Sequence, residues 1–505
     1  MPAPLVTVVG HCTDVAARVF CCAKKTHAVA RIAWSAAGQI GTQDRELTAA
    51  SPYAIGVFEL RGLPASSRVT YAIDAAADET SLASPAEMLA PDAPTPSFRL
   101  LPTSRPLRLG LVSCNGAFQV TDVRRRYLMW RKLRDQIDSG NIDVLIHAGD
   151  QIYADAIWMK HDASAANGGL TPGATKRVEA VTEEYRRWYV ERSWDAPDVA
   201  AVLASVPNLM TWDDHDIYDG YGSNDDDHEP PQQAFLKAAA QAFSEFQTSH
   251  GPGAIGPPGQ SFLTGFVHRD IGVLLLDTRL NRSWKTGTIL GAGQLQSVEA
   301  WLETHAATLR HLFVVTSIPV VHAKVTAALK LIEMLPGRQG LEDDLREVWT
   351  ASRNRAECQS LCKRLFATLS KNRGLQITLL SGDVHVGALA EMESLLGAHQ
   401  QSSVRRIFQV TSSGVGHPPI GGIAMWAVRR LLTSAWVELG SADFRGRLLT
   451  LNGVEDQIVE ARNFAVIRLE GDDCAWHPQG NVYVDFHTET PDGLDTRVLP
   501  QTLNG

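Results

Sequence analysis

Cysteine is scarce in this chain: seven in 505 residues, an odd number at irregular spacing, which excludes a disulfide-stapled scaffold. The adjacent Cys21-Cys22 and the Cys358/Cys362 pair, four apart on an expected helix, lack the second cluster that a zinc site needs. Six of the seven are read as small buried or neutral residues, and Cys114 is set apart below. There is no excess of positive charge either. A net charge of -9 gives no general attraction to nucleic acid or anionic membrane, so no nucleic-acid surface is expected and an anionic substrate must be held by a local positive centre such as a metal. Long hydrophobic runs are also missing: IGGIAMWAVRRLLTSAW (420 to 436) is broken by Arg429-Arg430 and is too short to span a bilayer. The opening MPAPLVTVVGHC lacks the basic and apolar regions of a secretory signal. A cytoplasmic location is therefore expected, with export left open if a leader preceded this sequence.

What is present is an ordinary globular composition, 44% hydrophobic and 20% charged, on a chain long enough for two domains or for one large α/β domain with an accessory unit. Residues 3 to about 100 read as short alternating segments (LVTVVGHC, AARVFCCA, AVARIAWSA, YAIGVFELRGL, RVTYAIDAA), the pattern of an immunoglobulin- or fibronectin-like β-sandwich, so an N-terminal domain is expected over 1–100. A proline-rich passage, 84 to 106, reads as a linker. Beyond it, apolar runs of four to eight residues alternate with amphipathic helical segments, which argues for central sheets covered on both faces and a catalytic domain over 105–490. The closing ARNFAVIRLEG and NVYVDFHTET look antiparallel. The acidic run SNDDDHE (223 to 229) is read as a solvated loop.

Four of the apolar runs end in chemistry. LGLVSC ends at Cys114-Asn115, VLIHAG at Asp150-Gln-Ile-Tyr153, NLMTW at Asp213-Asp214-His215-Asp216, and ITLLSG at Asp383-Val-His385. A single acid at a strand end is commonly a helix cap. Ligands in α/β sheets bind outside the carboxyl ends of strands, so four such ends point to one crevice.

The series SCN, GDQIYAD, WDDHDIYDGYG and SGDVH resembles the alkaline phosphatase D (PhoD)-like family of the calcineurin-like metallophosphoesterases, over roughly residues 105 to 480 in motif order. The resemblance implies a four-layer αββα core. It places Asp150 where an aspartate bridges two metals, and Tyr153 where the purple acid phosphatases carry an iron-binding tyrosinate. Cys114 stands where most of the superfamily has aspartate, and His385 matches the second histidine of Gly-His-x-His, with Asp383 in place of the first. Asp214 stands for the asparagine of Gly-Asn-His-Glu, and His215 for its histidine.

The implied metal set is Cys114, Asp150, Tyr153, Asp214, Asp383 and His385. Thiolate, phenolate and imidazole suit ferric iron, whereas carboxylates suit Ca²⁺, Mg²⁺ or Mn²⁺. The donor chemistry suggests a mixed centre, and the resemblance implies Fe³⁺ with Ca²⁺. His215 is expected to steady the phosphoryl group and protonate the leaving oxygen, with Asp216 orienting it; Asp213 and Asp155 are expected to be structural. Arg279 is a candidate phosphate clamp, with an ordinary salt bridge as the alternative. His322 falls off the superfamily pattern and is left out of the metal set, and His417 in TSSGVGHPP is a candidate substrate contact for which a turn is the better reading. The expected activity is hydrolysis of phosphate esters by metal-bound hydroxide at a dinuclear centre. The rivals are a phosphodiesterase or phospholipase-like hydrolase, and a non-catalytic binding protein on the same fold.

Overall fold

The computed structural model describes residues 5–93, 95–165, 174–322, 346–396, 405–419, 435–454, 457–469 and 481–503. Cys474 and most of the apolar stretch at 420–436 lie outside the described residues. Among the described residues no helix is long and apolar enough to cross a membrane.

The N-terminal segment forms two four-stranded sheets. One carries Val6–Cys12, Ala16–Lys24, Tyr53–Arg61 and Thr48–Ala50 in that order; the other carries Gln39–Glu46, Val29–Ala36, Arg68–Ala76 and Ser97–Arg99. Val9, Val19 and Phe58 of the first meet Ile32, Val69 and Tyr71 of the second in a common buried core, which is the expected sandwich. The proline-rich passage is more than a linker. Ser84 caps the short helix Pro85–Met88 through a reciprocal bond with Glu87, and Ser97–Arg99 is the last strand of the second sheet.

Two larger sheets follow. In the six-stranded one, Asn208–Thr211, Val144–Ala148 and Arg108–Val112 run parallel, and Asn463–Leu469, Val482–Glu489 and Thr496–Leu503 add antiparallel strands as far as Leu503. In the nine-stranded one, Ile271–Leu275, His311–Val315, Gln376–Ser381 and Arg406–Ser412 form the parallel centre. Each parallel strand is buried along nearly all its length because each face has its own cover. Ile146, Leu111, Val273, Phe313 and Leu380 point into the layer between the sheets. Leu145 and Met210 meet Trp130 and Leu133 of the helix Leu128–Asp138 on one outer side, and Leu274, Leu312 and Leu379 meet Val298 and Leu365 of the helices Gly291–His305 and Arg355–Lys371 on the other. The result is the helix–sheet–sheet–helix stack expected from the motifs.

The sandwich is fused to this stack. Val6, Val8, Phe20 and Cys22, on the opposite face of its first sheet, join the helix-side core. The Phe20 ring lies 6.2 Å from Trp194 and 5.6 Å from Phe246. Asn208 Nδ2 donates to Val9 O at 3.1 Å, and Arg18 Nη1 to Gly251 O at 2.9 Å.

Candidate metal centre

The parallel strands of both sheets deliver their carboxyl ends to one place. Three loops leave them in strained backbone: Cys114, Asp150, Asp383 and His385 have φ of 56°, 56°, 70° and 52°, a conformation that costs a residue with a Cβ on the order of 1 kcal/mol or more and persists only where the surroundings enforce it. Gly149, at φ 92°, allows a close approach of its loop to that of Asp213, since a Cβ there would stand 2.6 Å from the Asp213 Cβ.

Three donor groups form, each with ligand atoms within 4.8 Å of one another: Cys114, Asp150 and His385; Asp150, Asp214 and His215; and Asp213, Asp214 and Asp383. Tyr153 joins the first, its hydroxyl 3.1 Å from His385 Nε2, and Cys114 Sγ lies 3.2 Å from Asp150 Oδ2. All six residues of the expected metal set are therefore brought together, and His322 is in none of the groups. Asp213 is drawn in as well. Asp150 Oδ1 and Asp213 Oδ2 are buried with no hydrogen-bond partner, a costly state for carboxylate oxygens and one that a cation would relieve. The residues present fit a hard or borderline metal on this ground.

The electrostatics say the same. Burial, reinforced by Cys114 and Asp214, raises the Asp150 carboxyl well above its usual range, and burial with Asp213 and Glu347 nearby does so to Asp383. Burial also raises the Cys114 thiol and the Tyr153 phenol and drives His385 well below its usual value. Without a cation the two carboxyls, the thiol and the phenol favour their neutral forms, and a divalent or trivalent ion reverses that preference; the neutral imidazole of His385 is already the form that binds a metal.

Three residues stand differently from expectation. The fork of Arg279 has no donor left for a phosphate. Its Nε bonds Asp213, Nη1 bonds Glu347 at 2.7 Å and Tyr221 O at 3.0 Å, and Nη2 bonds Asp214 at 3.2 Å and Glu347 at 3.1 Å. With five N–H groups in all and no solvent exposure, it is the counter-ion of the acid group. The Asp216 carboxylate is turned to backbone N–H groups and not to the His215 imidazole. Its carboxylate accepts from the backbone of Asp150 at 3.0 Å and Asp213 at 2.9 Å, tying two ligand loops together, and burial holds its pKa up to about 7. The partner of His215 is Asp155, whose oxygens lie 3.0 and 3.1 Å from Nδ1. Burial alone would depress His215, but Asp214 and Asp155 outweigh it and raise its pKa well above the usual value.

Other contributors carry weaker sequence signals. His417 is stacked on His385 at 3.8 Å and on Tyr153 at 5.2 Å; its place in a glycine-rich segment after a strand, TSSGVGHPP, was the available hint. Glu347 clamps Arg279 from outside any motif. Tyr189 and Gln247, both 3.5 Å from Asp216 Oδ1, sit on the π-helical turns Trp188–Trp194 and Ser244–Thr248, where a widened turn re-aims side chains. In the acidic run, Asp227 is buried and accepts from the backbone of Gly222 and Asn224 at 2.8 Å, so that part is a structural cap and not a solvated loop.

The PhoD-like phosphatase family matches residues 109–422, more than half of the chain. The chain belongs to the PhoD-like phosphatase family. Its fold is similar to a solved PhoD structure, with a TM-score of 0.60 at 13% identity over 99% of this chain and 89% of that one. It is also similar to the purple acid phosphatase PPD1 of yellow lupin (Lupinus luteus) seeds, with a TM-score of 0.54 at 11% identity over 99% and 74%. An uncharacterised Saccharomyces cerevisiae protein, YGR266W, is 22% identical over 397 residues, 61% of this chain and 56% of the relative; the chain thus spans little more than half the length of that relative.

Proposed function

We propose that this chain is a metal-dependent phosphoesterase that hydrolyses phosphate esters at a dinuclear centre. The observation that carries the reading is the position of Asp150 between two sets of donor atoms, one with Cys114 and His385 and one with Asp214, beside which His215 is bonded to Asp155 and left for the proton. Cys114, Tyr153 and His385 form the set for ferric iron, and Asp150, Asp214 and Asp383 the oxygen set for Ca²⁺, with Mg²⁺ or Mn²⁺ as substitutes. When bound, such a pair neutralises charge on a phosphoryl group and supplies a nucleophile at neutral pH. His215, held protonated by Asp214 and Asp155, is the general acid for the leaving oxygen. Arg279 serves by holding Asp213 and Asp214 in place, and Asp216 by joining their loop to that of Asp150.

A diester reading has an observation of its own. Phe118 is 39% exposed and stands edge-on to Tyr153 at 6.3 Å, an apolar surface suited to a second ester substituent. Hydrolysis of p-nitrophenyl phosphate and bis-p-nitrophenyl phosphate, with iron and calcium supplied, tests both readings. Turnover abolished by Asp150→Asn supports the shared-ligand centre, and the ratio of the two rates chooses between monoester and diester. Bound metal with no turnover of either ester would favour a binding role and overturn the enzymatic reading.

A further inference from the structure

His417 packs against the expected ligands from a loop that carries none of them. That loop is bonded to the Cys114 loop through its backbone: Val415 N–H donates to Ser113 O at 3.0 Å, Gly416 N–H to Cys114 O at 3.3 Å and His417 N–H to Cys114 O at 3.0 Å. The two loops also meet through glycines. A Cβ on Gly116 would stand 2.7 Å from His417 Cδ2, and one on Gly416 would stand 2.8 Å from Ala117 N. The ring itself is fixed at its edge, where Nδ1 donates to Pro418 O at 2.6 Å. Its face lies 3.8 Å from the His385 ring at 23° and 5.2 Å from the Tyr153 ring at 20°. Tyr153 and His385 are joined by their own 3.1 Å contact, so a single imidazole plane contacts both members of that pair. Tyr153 is further packed on His215 at 4.2 Å.

We propose that His417 is a positioning residue: its ring holds Tyr153 and His385 in the geometry in which they bind a metal, acting through its flat face and not through a contact with substrate. The inference rests on the reading of Tyr153 and His385 as a ligand pair. A ligand held by packing loses less freedom on metal binding, and partners of this kind typically alter affinity or activity ~10–100-fold when removed. Stacking supplies the orientation here, so a phenyl ring of similar shape can replace the imidazole while a methyl group cannot.

The test uses the full-length protein as wild type, His417→Ala and His417→Phe, each incubated with iron and calcium and freed of excess metal by gel filtration. Retained iron per chain is the first readout; kcat and KM for p-nitrophenyl phosphate are the second. His417→Ala is expected to lose iron affinity and kcat by ~10–100-fold with KM little changed, and His417→Phe to recover most of both. Gly116→Ala, which crowds the ring without altering it, is expected to fall between them, and it carries the comparison if His417→Ala fails to fold. A Phe variant as poor as Ala that keeps its iron and raises KM would overturn the proposal, because the imidazole nitrogen would then be acting on substrate. Unchanged iron retention in His417→Ala would overturn it as well. Wild-type protein that binds iron but turns over no ester would remove the phosphoesterase reading alone, since iron retention would still compare the variants. Wild-type protein that binds no iron would remove both.

Discussion

Cys114, Tyr153 and His385 form one group of candidate ligands, and Asp213, Asp214 and Asp383 form another. Both leave the ends of buried parallel strands, yet their surroundings differ in kind. The first group has one acid in contact, Asp150 at 3.2 Å from Cys114 Sγ, and is otherwise held by a serine and by stacked rings: Ser413 Oγ donates to Cys114 Sγ at 3.0 Å and accepts from the His385 backbone at 2.9 Å. Burial pushes the thiol and phenol up and the imidazole down, so every member of that group has an uncharged form in which to fold. Carboxylates crowded together gain less from that escape. The second group folds around a resident cation, Arg279, itself braced by Glu347. Hydrogen bonding and packing can therefore hold a thiol–phenol–imidazole site ready for metal, whereas an all-carboxylate site needs a counter-charge built into the protein.

The strongest way to break this comparison is to remove one donor from each group. Cys114→Ser is expected to lose iron while keeping calcium, and Asp383→Asn to lose calcium while keeping iron, each by more than the ~10–100-fold typical of an outer partner. Elemental analysis of gel-filtered protein reads both metals at once. Equal loss of both metals in both variants would mean that the two groups act as a single site and that the contrast between them has no functional consequence.

Arg279→Gln sharpens the other half of the argument. It leaves Asp213 and Glu347 buried without their cation, and breaking a buried ion pair from one side typically costs about 3–5 kcal/mol. Urea denaturation of the metal-free protein measures it. A loss below about 1 kcal/mol would show that the acids are already neutral without the arginine, and its role as counter-ion would fall.

The sequence made the first group readable and hid the supports of the second. Continuous apolar runs ending in Cys114, Asp150, Asp214 and Asp383 required strands covered on both faces, and such strands have one chemically active end; the helix–sheet–sheet–helix stack and the convergence of the ligands follow. The acidic partners of Arg279 lie 65 to 68 residues away in sequence, and nothing local distinguishes a guanidinium that holds substrate from one that holds acids. The same is true of His215. Both Asp155 and Asp216 lie within reach of it along the folded loops, and only the tertiary arrangement decides that Asp155 bonds the imidazole while Asp216 turns to the backbone. The docking of the sandwich did leave a trace. Val8-Val9 and Val19 to Ala23 break the alternation read over residues 3 to about 100, where a sandwich strand with one wet face would keep it, and both faces of these strands are largely buried.

That division of labour between Asp155 and Asp216 gives a smaller prediction. Asp155→Asn keeps the shape but removes the charge that orients and protonates His215, so kcat for a monoester with a poor leaving group should fall ~10- to 100-fold, part of what general acid catalysis supplies. KM and bound metal should stay near their wild-type values. An activated ester such as p-nitrophenyl phosphate, whose leaving oxygen needs little protonation, should lose less; an equal loss on both substrates would assign Asp155 to metal geometry and not to the proton.

The smallest effect concerns the join between the sandwich and the strands that carry the site. His147 lies inside the strand Val144–Ala148, with its ring nitrogens 2.8 Å from Gln151 and from Asn208, and Asn208 is the residue that bonds Val9 of the sandwich. Burial lowers the His147 pKa to about 4, against ~6.5 in an unfolded chain. Between those values the unfolded state binds the proton and the folded state does not, so the stability from this residue is complete above pH ~6.5 and is lost as pH falls toward 4. Asp150, Asp213 and Asp383, whose folded values are raised, work in the opposite sense, so the total pH dependence of the protein does not isolate the histidine. The difference between wild type and His147→Asn does: the wild-type unfolding free energy from urea denaturation should fall more steeply between pH 7 and pH 5, by at most ~1.4 kcal/mol per pH unit. Parallel slopes would mean that His147 keeps access to water in the folded state, and that the strand bearing Asp150 is less tightly joined to the sandwich than its hydrogen bonds indicate.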